Sequence, residues 1–330
     1  MLNRLLPLLL AAALAASAAP PLKMATLAPR GTSPHQVLLE MREKWREAPD
    51  GGVALTIYAD GAMGGDAAVV SRMQVNQLQA AVLTVVGLAE IDNSVTALQY
   101  MPMMFRSLDE VDYVLQMLQP ELERRLLAKG YVVLFWGDLG WVRIFSKSPV
   151  AHPADLKKLK VFTWSGDVKQ VEIMKTLGFQ PVPLETADIP SSLQTGLIAA
   201  IPVPPMYALA SQMATSARFM LELNYVPLVG GAVITRKAWD AIPQSTRPAL
   251  LKAAREAGGQ MRVRNRAESD QAVEAMKKRG LAVQPVTPQL AAEWRKLGED
   301  AASRIRGAIV PADMFDMVTR LLAEYRARPK

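Results

Sequence analysis

Few residues in this 330-residue chain have the chemistry to act as a nucleophile, base or metal ligand. The two histidines, His35 and His152, both neighbour prolines in turn-like sequence, and there is no cysteine. Ser165-Gly166-Asp167 follows an apolar run and has the look of a nucleophile turn. No histidine is placed by any motif to activate that serine, so a helix-capping turn is the simpler reading. Without cysteine, HxxxH or paired carboxylates there is no transition-metal site and no disulfide framework. Gly61-Ala62-Met63-Gly64-Gly65 lacks both phosphate-loop spacings. The expectation is therefore a protein without cofactor or metal and not an enzyme, whose chemistry is non-covalent recognition.

The elements that would position a recognition site follow from composition and pattern. Half the residues are apolar, which is enough to bury more than one core. The formal charge of +7 is dispersed among acids rather than gathered into a basic stripe, so nucleic acid is not an expected partner. Arg262, Arg264 and Arg266 alternate on a helical stretch, a spacing that spreads them around the axis as a solvated face. The N-terminus pairs Arg4 with an apolar run from Leu5 to Ala16 and ends in small residues, the pattern of a signal peptide over residues 1–19. Export to the periplasm is the expected localisation.

Strand and helix signals then alternate. Leu22–Leu27, Val53–Tyr58, Gln79–Val86 and Tyr131–Phe145 read as extended, while His35–Glu47, Val69–Leu78 and Leu108–Lys129 read as helical. After Ser148-Pro149 the alternation resumes with strands at Leu159–Trp164, Gln180–Leu184 and Ala199–Val203, and helices at Val168–Leu177 and Ile189–Leu197. Phe219–Asn224 and Gly231–Thr235 read as two further strands, and Gln244–Lys278 as one long helix with Gly258-Gly259 as a possible bend. Pro311–Tyr325 reads as an amphipathic helix that packs on its own domain or offers a surface to a second periplasmic protein. The fold class is α/β.

Several motifs, in order, resemble the solute-binding proteins of tripartite ATP-independent periplasmic (TRAP) transporters, the DctP-like family. They include Gly61-Ala62-Met63-Gly64-Gly65-Asp66, Met101-Pro102-Met103-Met104-Phe105, Asp155-Leu156-Lys157-Lys158-Leu159-Lys160 and Leu177-Gly178-Phe179-Gln180-Pro181-Val182. Leu193-Gln194-Thr195-Gly196 and the Trp239–Pro243 entry to the long helix complete the set. The resemblance implies a periplasmic solute-binding-protein fold, two α/β domains with a ligand cleft between them, crossing strands and a long connecting helix. On this reading residues 20–140 and 225–260 form one discontinuous domain, and 141–224 and 261–330 the other. It also implies a small-molecule ligand and TRAP membrane permease subunits as partners.

The family's usual carboxylate clamp, an arginine on the strand after the Asp-Leu-Lys-Gly-like motif, is replaced by Phe162 in Lys160-Val161-Phe162-Thr163-Trp164. A second basic position of the family falls on Val142, with Arg143 one residue away on the opposite face of a strand. The cleft implied by the alignment is walled by Phe162, Trp164, Trp141, Trp136, Val203, Met206 and Tyr207, with Thr84, Val85, Met101 and Met103 closing from the other domain. Such a lining suits a hydrophobic or amphipathic solute. The alternatives are an organic acid held by main-chain amides with Thr163, Ser165 or Thr84, a structural or chaperone-like periplasmic protein, and a hydrolase using Ser165.

Overall fold

The structure is a computed structural model and describes residues 21–328; the signal peptide expected at 1–19 lies outside them. Nine strands are β1 (Leu22–Thr26), β2 (Leu55–Tyr58), β3 (Ala80–Thr84), β4 (Tyr131–Ser146), β5 (Lys160–Trp164), β6 (Gln180–Leu184), β7 (Ala200–Val203), β8 (Phe219–Thr235) and β9 (Ala282–Gln284). The helices of the N-terminal half are α1 (Ser33–Arg46), α2 (Asp66–Gln74), α3 (Val85–Ile91), α4 (Leu108–Ala128), α5 (Pro153–Lys157) and α6 (Val168–Thr176). Those that follow are α7 (Ile189–Thr195), α8 (Pro205–Ala210), α9 (Arg236–Asp240), α10 (Arg247–Lys277), α11 (Pro288–Ile305) and α12 (Ala312–Arg326).

One sheet runs β2-β1-β3-β8-β4-β7-β5-β6, with β9 also paired to β8. Its two long antiparallel strands belong to both lobes. The first half of β4 and the second half of β8 pair with each other, and β3 joins β8 there through Ala80–Ile234 to Thr84–Gly230. The other halves carry β7 on β4, through Arg143–Val203 to Ser146–Ala200, and β9 on β8. Between them the β4–β8 register shifts at Val133/Phe135, Asp138/Trp141 and Val142/Ile144. Such bulges bend a strand and raise its twist, which lets one sheet serve two lobes facing different ways.

The two strands expected within 219–235 are one. Pro227 lies opposite Trp141 beside a register shift, where the ladder is already broken, so its missing N–H does not end the strand. The strand expected over Gln79–Val86 ends at Thr84, where α3 begins. Thr84 caps it, its hydroxyl accepting from the Val86 N–H, and this local bond outweighs the β-branched run Thr84-Val85-Val86. Helices cover both faces of the sheet: α2, α3, α4 and α12 enclose one core of the first lobe and α1, α9 and α10 the other. Two smaller cores hold the second lobe together, one around Phe145, Phe162 and Ile201, the other around Ile144, Val161 and Trp294.

One expectation about the helices needs correction, and a second feature gains a physical reason. The C-terminal helix α12, assigned with residues 261–330 to the second domain, packs on α4 in the first; its Met314, Val318 and Leu322 are buried there and Arg326 pairs with Glu110 at 2.7 Å. In α10, Gly258-Gly259 does not interrupt the helix, which is continuous over 31 residues. A Cβ at Gly258 would stand 2.7 Å from the Phe135 Cβ and 2.9 Å from the Trp136 carbonyl oxygen, whereas one at Gly259 would meet nothing. Gly258 is there so that the helix can lie against β4.

Candidate functional site

A cavity of about 110 Å³ lies where the lobes meet. The first lobe contributes the end of β1 and the following loop, Thr26 to Pro29, with Val82, Leu83 and Thr84 of β3 and Phe135 of β4. The second contributes Trp164, Thr186, Val203, Met206 and Tyr207. Leu228 to Gly231 of β8 form its back wall, and Met261 and Asn265 of α10 complete it. Gly230 has its own steric reason, since a Cβ there would lie 2.5 Å from the Leu83 carbonyl oxygen.

Behind Trp164 is a second, smaller cavity of about 50 Å³. Its wall includes Gln99, Val142, Phe162, Thr163 and Tyr225; Trp164, Pro204 and Leu228 line both spaces. The Trp164 ring stands edge-on to Phe162, with centroids 5.0 Å apart, so the pair partitions the cleft. No Lys, Arg or His lines either cavity. The only ionisable carboxyl group in either wall is that of Asp138, and it is already gripped by Arg266.

Five of the residues expected from sequence therefore gather on the larger cavity: Trp164, Val203, Met206, Tyr207 and Thr84. Phe162 is buried and faces the smaller one, together with Val142. The other five do not line either space. Trp136 follows the cavity-lining Phe135 and points to the opposite face, its indole N–H donating to Glu123 at 3.3 Å. Trp141, Val85 and Met101 are buried in the first-lobe core. Met103 packs against the second-lobe core around Trp294, with its main-chain N–H donating to the Tyr225 carbonyl at 3.0 Å. Arg143 also lines neither, as alternation from Val142 predicts; burial pushes its guanidinium down, with Glu222 and Asp270 opposing. Ser165 closes the turn into α6 by donating its N–H to the Leu184 carbonyl at 3.0 Å. His35 sits in the first turn of α1 and His152 pairs with Glu293 at 2.7 Å, so neither histidine serves that serine.

Polar groups around the cleft fall into two kinds. Some are fully engaged. Arg266, expected on a solvated face, instead reaches Asp138 at 2.8 Å and Asp112 at 2.7 Å, joining α10 to β4 and α4. Burial works against its charge, but the two carboxylates more than offset this and push the guanidinium up. Tyr100 of the first lobe donates to Asp167, the N-cap of α6 in the second, and burial raises both groups. Asp66, fully enclosed behind Thr84, is pushed up to about 6 by burial, although the Thr84 hydroxyl and N–H donate to it. The other kind is left over: Gln99 Oε1 and Thr163 Oγ1 at the smaller cavity, and Asn265 Oδ1 at the larger, are buried without hydrogen-bond partners. Sequence pattern carried no sign of these three, since their isolation depends on what surrounds them.

Among the described residues no cluster of His, Asp and Glu is arranged to hold a metal, and no helix is long and apolar enough to cross a membrane. The fold is similar to that of DctP7, an extracytoplasmic solute receptor of Bordetella pertussis that binds pyroglutamic acid. That match has a TM-score of 0.84 at 21% identity, covering 92% of this chain and 100% of that one. It is equally similar to a TRAP periplasmic solute-binding protein of Ralstonia eutropha H16 with bound (S)-2-acetolactate, with TM-score 0.85, 18% identity and coverage of 92% and 99%. In sequence, the 2,3-diketo-L-gulonate-binding periplasmic protein YiaO of Escherichia coli is 25% identical over 258 residues, 76% of either chain. Residues 24–305 match the family model described as bacterial extracellular solute-binding protein, family 7, and the chain belongs to that family, DctP.

Proposed function

We propose that this protein captures a small uncharged solute, hydrophobic or amphipathic, between its lobes in the periplasm and delivers it to the membrane subunits of a TRAP transporter. The observation that carries the reading is the absence of any cation from the walls of both cavities, with Phe162 and Val142 on the smaller one where the resemblance calls for basic residues. A buried carboxylate without a positive partner is strongly disfavoured, whereas Trp164, Phe135, Met206 and Met261 offer apolar area to a neutral body. Closure would be driven by contacts from both lobes and carried by the bulged centres of β4 and β8.

A second reading, an organic-acid receptor using main-chain amides and hydroxyls, draws on relatives, among them a protein of Shewanella oneidensis solved with succinate. The two readings separate by experiment. Protein purified without unfolding should release a neutral solute in native mass spectrometry, and calorimetry should find succinate and pyroglutamate weak at any ionic strength. Tight binding of either acid, weakening steeply with salt, would establish the second reading instead.

A further inference from the structure

One side chain of the larger cavity has half its hydrogen-bonding capacity in use. Asn265, 1% exposed, donates its Nδ2–H to the Asp138 main-chain oxygen at 2.9 Å, and its Oδ1 is buried without a partner. Turning the amide over would set Oδ1 against that carbonyl oxygen, acceptor to acceptor, so the partner it has fixes its orientation. That partner is itself held. Arg266, the next residue on α10, binds the Asp138 carboxylate through Nε at 3.1 Å and Nη2 at 2.8 Å, and Asp138 Oδ1 also accepts from Gly140 N–H at 2.9 Å. Asn265 is one of the few polar residues lining a cavity otherwise almost wholly apolar, and its leftover acceptor is itself buried.

We propose that Asn265 is the specificity-determining residue of the cleft and that the solute it selects carries an uncharged hydrogen-bond donor, a hydroxyl or primary amide, on a small apolar body. A carboxylate brings only acceptors and would set its lone pairs against Oδ1. An ammonium would find no free counter-ion, because the one carboxylate of the wall is taken by Arg266. The inference rests on the reading of the cleft as a site for uncharged solutes and narrows it to one donor at one acceptor.

Three probes with one carbon skeleton test it by calorimetry on the mature protein: 3-methylbutan-1-ol, its methyl ether and 3-methylbutanoate. The alcohol should bind about tenfold or more tightly than the ether, the scale expected when a buried acceptor gains its partner. Asn265→Leu, of similar shape without the acceptor, should erase that ratio while leaving the ether's affinity unchanged, with folding checked by urea denaturation. The wild-type ratio decides the matter even where the variant does not fold. Equal binding of alcohol and ether means that Oδ1 is served by water; it overturns the donor inference and leaves the uncharged-solute reading standing. The acid binding most tightly, or none of the three binding at millimolar concentration, overturns both.

Discussion

Asn265 and Arg266 are neighbours on one helix, yet they belong to regions built on opposite rules. Around Arg266 every strong charge is answered: one guanidinium serves two carboxylates, of which Asp138 is nearly enclosed, with a side chain 3% exposed. Around the cavities, Gln99, Thr163 and Asn265 each keep a buried oxygen unanswered. Satisfied charges fix the relative positions of α10, β4 and α4, whereas the unsatisfied neutral groups by the apolar cavities have hydrogen-bonding capacity left over. The difference separates the charged frame from the cavity walls, although Arg266 and Asp112 keep some exposure and Asp138 almost none.

The comparison can be broken most directly at Arg266. Arg266→Met should cost about 3–5 kcal/mol in urea denaturation, because Asp138 would be left charged, enclosed and without its partner. A loss below ~1 kcal/mol would mean that the cluster behaves as an exposed ion pair and that the frame is held by other contacts. Adding Asp138→Asn to that variant should restore part of the loss.

Asp66 tests whether an enclosed carboxyl group of the first lobe lacks a compensating cation. Its folded pKa of about 6 is raised from an ordinary 3.8, so the folded state holds its proton more tightly than the unfolded one. The stabilising contribution is complete below about pH 4 and is lost as pH rises through about 6, in all roughly 3 kcal/mol. Asp66→Asn, which keeps an acceptor for Thr84, should flatten that part of the stability profile between pH 4 and pH 7. An unchanged slope would show that Asp66 finds solvent or a cation when it ionises.

The glycine pair of α10 sharpens the picture of a fixed frame. Gly258→Ala should destabilise by about 1–3 kcal/mol, since its new methyl group meets Phe135 and the Trp136 carbonyl, while Gly259→Ala should stabilise by up to about 1 kcal/mol. Thermal unfolding of the two single variants decides it. A stabilising Gly258→Ala would return the pair to the role of a bend that the sequence suggested.

The smallest effect belongs to the site itself. Thr163→Val removes a buried hydroxyl that has no partner, so the ligand-free protein should change by no more than ~1 kcal/mol and in the stabilising direction. A clear loss in denaturation would mean that the hydroxyl already holds an ordered water and that the smaller cavity is wet.

Much of the layout was legible in residue pattern. Strand and helix alternation placed most long elements to within a few residues, although α11 drew no reading and β8 was read as two strands, and the pattern around Lys160-Val161-Phe162 located the strand that carries Trp164. The family resemblance extended this to two lobes and a cleft. Faces were harder. Period-two reasoning along Tyr131–Phe145 assumes an unbroken strand, but β4 shifts register three times against β8, so Phe135 and not Trp136 meets the cavity, and Trp141 is core. Alternation did hold for Val142 and Arg143, which lie on opposite sides as expected.

The sequence by itself determined most of the order of elements, the length of α10 and the want of catalytic and metal-binding motifs, because periodicity, turn residues and residue type are local properties; that Phe162 stands in place of a basic clamp is what the family resemblance implies. Only the tertiary structure decided which aromatic rings face the cleft, that Arg266 is the centre of a partly buried charge cluster, and that Gly258 lies in close contact with β4. It alone left Asn265 with an acceptor to spare. Those outcomes depend on which distant groups come within a few ångströms: Arg266 and Asp138 are 128 positions apart in the chain, and no local pattern records that they meet.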